Sequence, residues 1–157
     1  NTEGFGVQDS ILKQDPAGKD MISLPGGGSV HPATHETIDN RLHFFKQEGR
    51  SVFRYAVNGM SSTTVDIMKR NNLTGDDIAY LVPHQANLRI LAKTAEYMGI
   101  SEEKVTINIE KYGNTTDATI PLCLWEWEDK FKKGDNIILA AFGAGFNYGS
   151  AYIKWAY

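Results

Sequence analysis

The longest hydrophobic pattern in the chain predicts an amphipathic helix that begins near Ser51. Apolar and small side chains recur there at steps of three and four residues, the spacing that places them on one helix face. They are Phe53, Ala56, Val57, Met60, Thr64 and Ile67. We expect this helix to end near Asn71 and Asn72, and we expect a shorter helix upstream of it, over residues 36–46.

A strand followed by a helix is predicted next. Residues 78–82 are apolar and β-branched and run into Pro83, which is typical of a short buried strand. Residues 87–98 carry a helical apolar face that ends at Gly99, a common helix stop signal. The strand therefore passes almost directly into the helix.

The same order is predicted a second time. Residues 105–109 repeat the strand pattern, residues 111–116 form a loop, and residues 118–132 form a helix with Pro121 in its first turn. Because this helix is apolar nearly all round, we expect it to be buried from several sides.

Strands are also predicted near both ends of the chain, over residues 6–12, 136–142 and 148–155. The resulting order favours the α/β fold class, with a largely parallel sheet and an antiparallel edge. Residues 13–34 are polar and rich in Gly and Pro, so they predict a long loop. Such a loop is unusual in a compact domain and indicates a lid or a segment that leans on structure outside the chain.

Composition excludes several classes of function. The chain has 157 residues, of which 41% are apolar, and its 19 acidic and 16 basic residues are scattered, so we expect one core and no nucleic-acid partner. No apolar run approaches the roughly 18 to 20 residues that span a bilayer, so we expect no membrane partner. The single cysteine, Cys123, favours a reducing compartment, and we expect the cytoplasm. Because the chain lacks an initiator Met, we expect it to be a fragment.

The strongest candidate for chemistry is His84, within the segment Pro83-His84-Gln85-Ala86-Asn87. It lies at the carboxyl end of a predicted strand, where ligands gather in open α/β sheets. The helix that follows points its positive end toward the imidazole, which favours a neutral ring able to donate a hydrogen bond. The alternative is a histidine that only caps that helix.

Two further segments follow predicted strands. Gly113-Asn114-Thr115 offers an amide that can donate toward an oxygen, although an Asn after Gly is also a common turn residue. In Phe142-Gly143-Ala144-Gly145-Phe146 the small residues let backbone N–H groups approach a ligand closely. The alternative for this segment is a tight hairpin bend.

Other features are weaker than they look. The spacing of His31, His35 and His43 resembles a metal site, but Pro32 interrupts a regular helix there and no supporting Cys or HExxH pattern is present, so we expect no metal. The Gly-rich segments lack the phosphate-loop pattern, so we expect no nucleotide. Cys123 lies in an apolar run, which favours a buried and inert thiol.

The order and spacing of the candidate segments resemble the 3-oxoacyl-[acyl-carrier-protein] synthase III family, a branch of the thiolase-like condensing enzymes. The resemblance runs from about residue 49 to 155 and is most specific in PHQAN followed by YGNT. The four matching segments are GRSVFRYAV at 49–57, VPHQANLRI at 82–90, YGNT at 112–115 and AFGAGF at 141–146.

The resemblance implies one half of a thiolase-like five-layered αβαβα sandwich, with a mixed sheet flanked by helices. Residues 1–35 would be the last strand of the preceding half plus a long Gly/Pro loop, and residues 36–157 the C-terminal condensing-enzyme domain. It also implies a Cys-His-Asn site whose cysteine lies outside this chain, so the fragment alone should be inactive. The intact enzyme would be a homodimer.

The implied activity initiates fatty-acid synthesis without a cofactor. The cysteine takes an acyl group from acyl-coenzyme A and attacks malonyl-[acyl-carrier-protein] (malonyl-ACP), with loss of carbon dioxide. His84 and Asn114 would hold the enolate oxygen, and the N–H of Ala144 would complete an oxyanion hole. The other implied contacts are Phe142 at the gate, Gly49, Arg50, Ala86 and Asn87 on the pantetheine arm, and Arg54 and Arg89 on the acyl carrier protein.

Two positions depart from the family pattern. Ala144 stands in the middle of the usual triple glycine, where its backbone φ must stay negative, and Arg50 stands where an Asn is common. Two alternatives stay open. One is another thiolase-like condensing enzyme, and the other is a non-catalytic carrier-protein-binding or dimerisation module with the same fold.

Overall fold

The computed structural model describes residues 4–157, so the first three residues of the predicted 1–35 segment lie outside it. Six strands are present among the described residues. In chain order they are β1 (Gly6–Gln14), β2 (Ile22–Ser23), β3 (Lys46–Gln47), β4 (Tyr80–Pro83), β5 (Asn136–Gly143) and β6 (Asn147–Lys154).

The α-helices in the same part of the chain vary from one turn to six. They are α1 (His35–Asp39), α2 (Gly49–Arg70), α3 (Leu88–Met98), α4 (Ile109–Tyr112) and α5 (Thr119–Trp127). Short 3₁₀ turns lie at Pro16–Gly18, Glu102–Lys104, Thr116–Ala118 and Glu128–Lys130. No helix within residues 4–157 combines the length and apolar character that crossing a bilayer requires.

The main sheet has the strand order β1-β6-β5-β4 and is mixed. Only β4 and β5 run parallel, whereas β6 is antiparallel to both β5 and β1. The prediction of a largely parallel sheet was therefore wrong. A bend of three residues joins β5 to β6, and so short a connection can only reverse the chain. The strands β2 and β3 form a separate two-stranded sheet.

Helices cover both faces of this sheet, which confirms the α/β fold class. Alternate side chains of β5 divide between two cores: Ile138 packs with the cluster that α2 and α3 contribute to, and Ile137 packs with Cys123 of α5. The first core is the larger one, and Met60 and Ile67 of α2 are almost completely buried in it. The two core-forming faces make a three-layer α/β/α arrangement.

The helix α3 is capped at its start, and its predicted stop signal is confirmed. The side chain of Asn87 accepts a hydrogen bond from the N–H of Arg89 at 2.9 Å and caps the start of the helix. Gly99 ends it with φ at 70°, in the left-handed region that favours glycine. The helix α2 also ends where predicted, since Asn71 follows its last residue.

Two predicted elements differ in the structure. The helix expected over residues 36–46 is only α1, because Arg41 adopts a positive φ of 55° and Leu42 bonds back to the carbonyl of Thr37 at 3.0 Å. The strand expected over residues 105–109 is reduced to one parallel bridge between Leu81 and Val105. Its β-branched composition suits a strand, but the backbone turns into α4 instead.

The prediction that the helix over residues 118–132 is buried from several sides was also wrong. Within α5, Thr119 and Cys123 are the buried residues, and Trp125 is 66% exposed. The outer apolar face of this helix has no covering element among residues 4–157. The helix is also shorter than predicted, because a 3₁₀ turn replaces its last part from Glu128.

We expect Gly99→Ala to lower the free energy of unfolding by about 1 kcal/mol, because an L side chain in the left-handed region is strained. A Cβ at this position would have no described atom within 4 Å, so the effect would come from the backbone alone. Urea denaturation measures it. Gly28→Ala is the matched control, because a Cβ there also meets nothing within 4 Å and its φ lies outside the left-handed region. Equal stability of the two variants would contradict the assignment.

Candidate active site

A large open cavity of about 1710 Å³ lies where β4 and β5 end, and α2 and the β5–β6 turn also border it. Every residue that the sequence predicted for the site lines this cavity. They are Gly49, Arg50, Arg54, His84, Ala86, Asn87, Arg89, Asn114, Phe142 and Ala144. The structure thus brings together residues that are up to 95 positions apart in the chain.

His84 is held by both its backbone and its side chain. Its N–H donates to the carbonyl of Ala140 at 2.7 Å, which continues the pairing of β4 with β5 by one residue. The imidazole is half-buried, and its Nδ1 lies 2.7 Å from Oγ1 of Thr119. Burial lowers the pKa of His84 because it disfavours the charged ring, and the charge of Asp117 opposes this shift.

Thr119 is a site residue that sequence reasoning missed. It is 2% exposed, and its Oγ1 lies 3.0 Å from the carbonyl of Thr116 as well as 2.7 Å from His84 Nδ1. A hydroxyl carries a single proton, so it can donate to only one of these partners at a time. The contact with Nδ1 fixes the ring so that Nε2 is the nitrogen available to the cavity. No motif signals this pair, because 35 residues separate its members.

Asn114 follows α4 through Gly113, whose φ is 69°. Its Oδ1 accepts the backbone N–H of Thr116 at 3.0 Å, so the oxygen of the carboxamide is held toward the loop. The Nδ2 group is then the part of the side chain that can donate to a molecule in the cavity. This orientation is the one that the predicted donor role requires.

The turn between β5 and β6 presents Ala144 at the cavity. The side chain of Asn147 donates to the Ala144 carbonyl at 2.7 Å, and Gly145 has a φ of 139° that an L side chain rarely adopts. Among residues 4–157, the non-glycine residues with positive φ are Arg41, Asn72 and Thr116. The expectation that Ala144 avoids a positive φ is therefore confirmed.

Phe142 lines the cavity but is largely buried. It is 9% exposed, and its ring centroid lies 4.8 Å from that of Phe146 and 6.2 Å from that of Tyr148. By contrast, Arg50, Arg54 and Arg89 at the rim of the cavity are exposed. The rim of the cavity therefore carries three positively charged side chains.

Cys123 is buried, as the sequence predicted, at 0% exposure in the core beside α5. Burial raises the pKa of its thiol, which disfavours the reactive thiolate. The part of the chain that the structure describes contains no cluster of three or more His, Cys, Asp or Glu side chains placed to hold a metal. His43 contacts Thr37 instead, with Nε2 2.8 Å from Oγ1.

Comparison with known proteins identifies the family of the chain. The family model described as 3-oxoacyl-[acyl-carrier-protein (ACP)] synthase III C terminal matches residues 68–155, which is more than half of the chain. The chain belongs to the 3-oxoacyl-[acyl-carrier-protein] synthase III family. The matched range includes both His84 and Asn114, the two side chains that face the same cavity.

Individual members of the synthase III family are closely similar. A beta-ketoacyl-[acyl-carrier-protein] synthase III of Porphyromonas gingivalis is 56% identical over 155 residues, and one of Bacteroides thetaiotaomicron is 53% identical over 156 residues. Each alignment covers 99% of this chain, but only 46% and 47% of the relative. The chain therefore spans about half the length of the synthase III proteins that it matches.

A solved structure of a synthase III shows the same fold. The 3-oxoacyl-(acyl carrier protein) synthase III of Pseudomonas aeruginosa superposes with a TM-score of 0.86 at 31% sequence identity. The superposition covers 100% of this chain and 47% of that protein. One half of a thiolase-like sandwich, as the sequence resemblance implied, is thus the fold of this chain.

We expect the imidazole of His84 to titrate below the ordinary histidine pKa of about 6.5, because burial disfavours its charged form. The check is a titration of the histidine ring signals by NMR, with His84→Ala to assign the resonance. Since the folded pKa is depressed, the contribution of His84 to stability is present above pH 6.5 and is lost as the pH falls below it. A midpoint at or above about 6.5 would contradict the expectation.

Proposed function

We propose that this chain supplies one half of the active site of a beta-ketoacyl-ACP synthase III. This acyltransferase would condense an acyl-coenzyme A primer with malonyl-ACP and so initiate fatty-acid synthesis. The observation that carries the proposal is the convergence of His84, Asn114 and the Ala144 turn on one cavity. Three hydrogen-bond donors at one place suit a reaction that develops negative charge on oxygen.

In the proposed reaction a cysteine thiolate outside this chain attacks the thioester carbonyl of the primer, and the coenzyme A thiolate leaves. The bond between the malonyl carbon and its carboxylate then breaks, which releases carbon dioxide and leaves its electron pair in an enolate. The enolate carbon attacks the acyl-cysteine carbonyl, and the cysteine thiolate leaves. Each step balances without an oxidant, a reductant or a metal.

His84 and Asn114 would stabilise the enolate by donating to its oxygen. The Nδ2 of Asn114 is oriented for this because Oδ1 is already bonded to the loop. His84 donates through Nε2 when Nδ1 is unprotonated, and the Thr119 hydroxyl can then donate its hydrogen bond to Nδ1, at 2.7 Å. Neutral donors of this kind contribute about 2.7 to 4 kcal/mol each in comparable oxyanion sites. The depressed pKa keeps the ring neutral in this role.

Ala144 would serve the acyl-enzyme instead. Its N–H takes part in none of the turn and loop hydrogen bonds within residues 4–157, so it can donate to the acyl-cysteine carbonyl. Gly49, Arg50, Ala86 and Asn87 also line the cavity, and the pantetheine arm would lie against them. Phe142 would restrict the entrance.

The positive rim of the cavity fits the proposed partner. Arg54 and Arg89 are exposed there, and the guanidinium of Arg89 lies 5.1 Å from the ring centroid of Phe53, which supports its position. An acidic carrier protein would meet these charges as it delivers the malonyl group. Steering of this kind acts on the association rate and weakens as salt is added.

Exposed apolar residues support the proposal that a second half completes the enzyme. Leu12 on β1 is 84% exposed and Trp125 on α5 is 66% exposed, although both belong to elements of the main fold. We propose that the preceding half covers such surfaces and supplies the nucleophile, with the chain dividing near residues 35 and 36. A homodimer and a cytoplasmic location stay predictions.

The first test replaces the two donors in the full-length protein. We expect His84→Ala and Asn114→Ala each to lower the rate of malonyl-ACP decarboxylation by about 100-fold or more, because each removes a donor from the enolate. Release of labelled carbon dioxide measures the rate. His35→Ala and Asn58→Ala are matched controls at exposed positions and should behave like the wild type. Wild-type decarboxylation by either site variant would rule out the proposed function.

The second test concerns Thr119. We expect Thr119→Val, which keeps the shape but removes the hydroxyl, to lower decarboxylation by about 10- to 100-fold because the ring of His84 loses its fixed orientation. Thr119→Ser keeps the hydroxyl and should recover most of the rate. If Val and Ser reduced the rate equally, the hydrogen bond to Nδ1 would have no part in catalysis.

A further inference from the structure

Gln85 is fully buried, at 0% exposure, although its side chain ends in a polar carboxamide. The Nε2 group donates to the carbonyls of Pro83 at 2.9 Å and Thr106 at 3.0 Å. The Oε1 atom accepts the backbone N–H groups of Asn108 at 3.0 Å and Ile109 at 3.2 Å. A carboxamide has two donor hydrogens and two acceptor lone pairs, so the hydrogen-bonding capacity of this group is fully used.

These four bonds join two separate stretches of backbone. Pro83 is the last residue of β4 and precedes His84, whereas residues 106–109 lead from the Val105 bridge into α4. Direct pairing between the two stretches is limited to that bridge and to a hydrogen bond from Thr106 N–H to the Leu81 carbonyl at 3.0 Å. Beyond Thr106, the side-chain hydrogen bonds of Gln85 join the two stretches in place of backbone pairing.

The contact with α4 is the important one for the site. The N–H groups at the start of a helix have no partner within the helix. Asn108 directs its side chain to Glu126 at 3.1 Å, so the Gln85 oxygen caps α4 from another segment. This helix has only four residues, and Asn114 follows two residues after its end.

We infer that Gln85 is a positioning residue that sets the separation of His84 and Asn114. It is adjacent to the first and anchors the helix that carries the second. This inference rests on the proposed function and adds to it a residue that touches neither the substrate nor the reacting atoms.

Two other contacts complete a closed frame around the site. His84 is tied to Thr119 at the start of α5, and α4 is tied to Glu126 later in α5 through Asn108, Lys111 and Tyr112. Gln85 supplies the direct link between the His84 segment and α4. Removing it leaves the His84 segment and α4 attached to α5 but joined to each other only upstream, at the Val105 bridge, so the separation of His84 and Asn114 can change while the fold persists.

The experiment replaces Gln85 with Met in the full-length protein and measures two steps separately. We expect malonyl-ACP decarboxylation, which uses both donors, to fall by about 10- to 100-fold, because a displacement of about 1 Å costs that much in rate. Acyl transfer from acyl-coenzyme A to the cysteine uses the Ala144 turn and should change far less. Rates are taken per folded enzyme, with the folded fraction measured by circular dichroism.

Thr63→Val is the matched control for loss of a buried hydrogen bond. Thr63 is 0% exposed and its Oγ1 lies 2.8 Å from Ser150 Oγ, a bond between α2 and β6. This variant should be less stable than the wild type yet keep its ratio of decarboxylation to acyl transfer. A Gln85→Met enzyme with the same unchanged ratio would overturn the inference, because Gln85 would then act only as a residue of the core.

A double-mutant cycle tests whether Gln85 affects decarboxylation through the position of Asn114 or independently of it. In an enzyme that already carries Asn114→Ala, Gln85→Met should reduce decarboxylation little further, because the group that Gln85 positions is gone. Full additivity of the two losses would overturn the inference. It would leave the proposed function intact, because that function stands or falls with His84→Ala and Asn114→Ala alone.

Gln85→Glu provides a second variant should the Met variant fail to fold. The carboxylate would face the carbonyls of Pro83 and Thr106, whereas the protonated acid can donate to one of them and still accept from α4. We therefore expect the decarboxylation rate of folded Gln85→Glu, relative to the wild type, to rise as the pH falls. A pH-independent ratio would count against the inference.

Discussion

The parallel pairing of β4 with β5 is the constraint on which the site depends. Its register runs from Tyr80 opposite Ile137 to Pro83 opposite Ala140, and the N–H of His84 extends it by one bond of 2.7 Å. Because both strands end at the same edge, the residue after β4 and the turn after β5 must face the same space. A shift of this pairing by one residue would turn His84 to the other face of the sheet.

Much of this arrangement could be predicted from the sequence, because its signals are local. Apolar periodicity predicted α2 and α3, and Gly99 predicted the end of α3 because the backbone there is left-handed. The position of His84 directly after a β-branched strand follows from chain order. The expectation for Ala144 was also local, since it concerned a single φ. Motif order then identified Asn114, whose place in the same cavity no local pattern could give.

The errors have a common physical origin in tertiary contacts. Residues 105–109 have strand composition, yet a buried side chain from another segment, Gln85, satisfies the backbone at 106–109 and lets it turn into a helix. The all-round apolar character of α5 was correct as a pattern, but burial requires a covering element, and Trp125 is 66% exposed among residues 4–157. Contacts between residues tens of positions apart leave no periodic trace, which is also why Thr119 was missed.

The distribution of satisfied and open hydrogen-bonding groups explains how a loop-built site can be rigid. Thr119 occupies Nδ1 of His84, Thr116 occupies Oδ1 of Asn114, and Asn147 occupies the carbonyl of Ala144. In each case the group that remains, Nε2, Nδ2 or the backbone N–H, is the one that can reach the cavity. Orienting these donors in advance avoids reorganisation when charge develops on a bound oxygen, and that is the condition under which such donors stabilise a transition state most. In the proposed reaction, the surrounding fold would therefore contribute by occupying the other hydrogen-bonding group of each of these three residues.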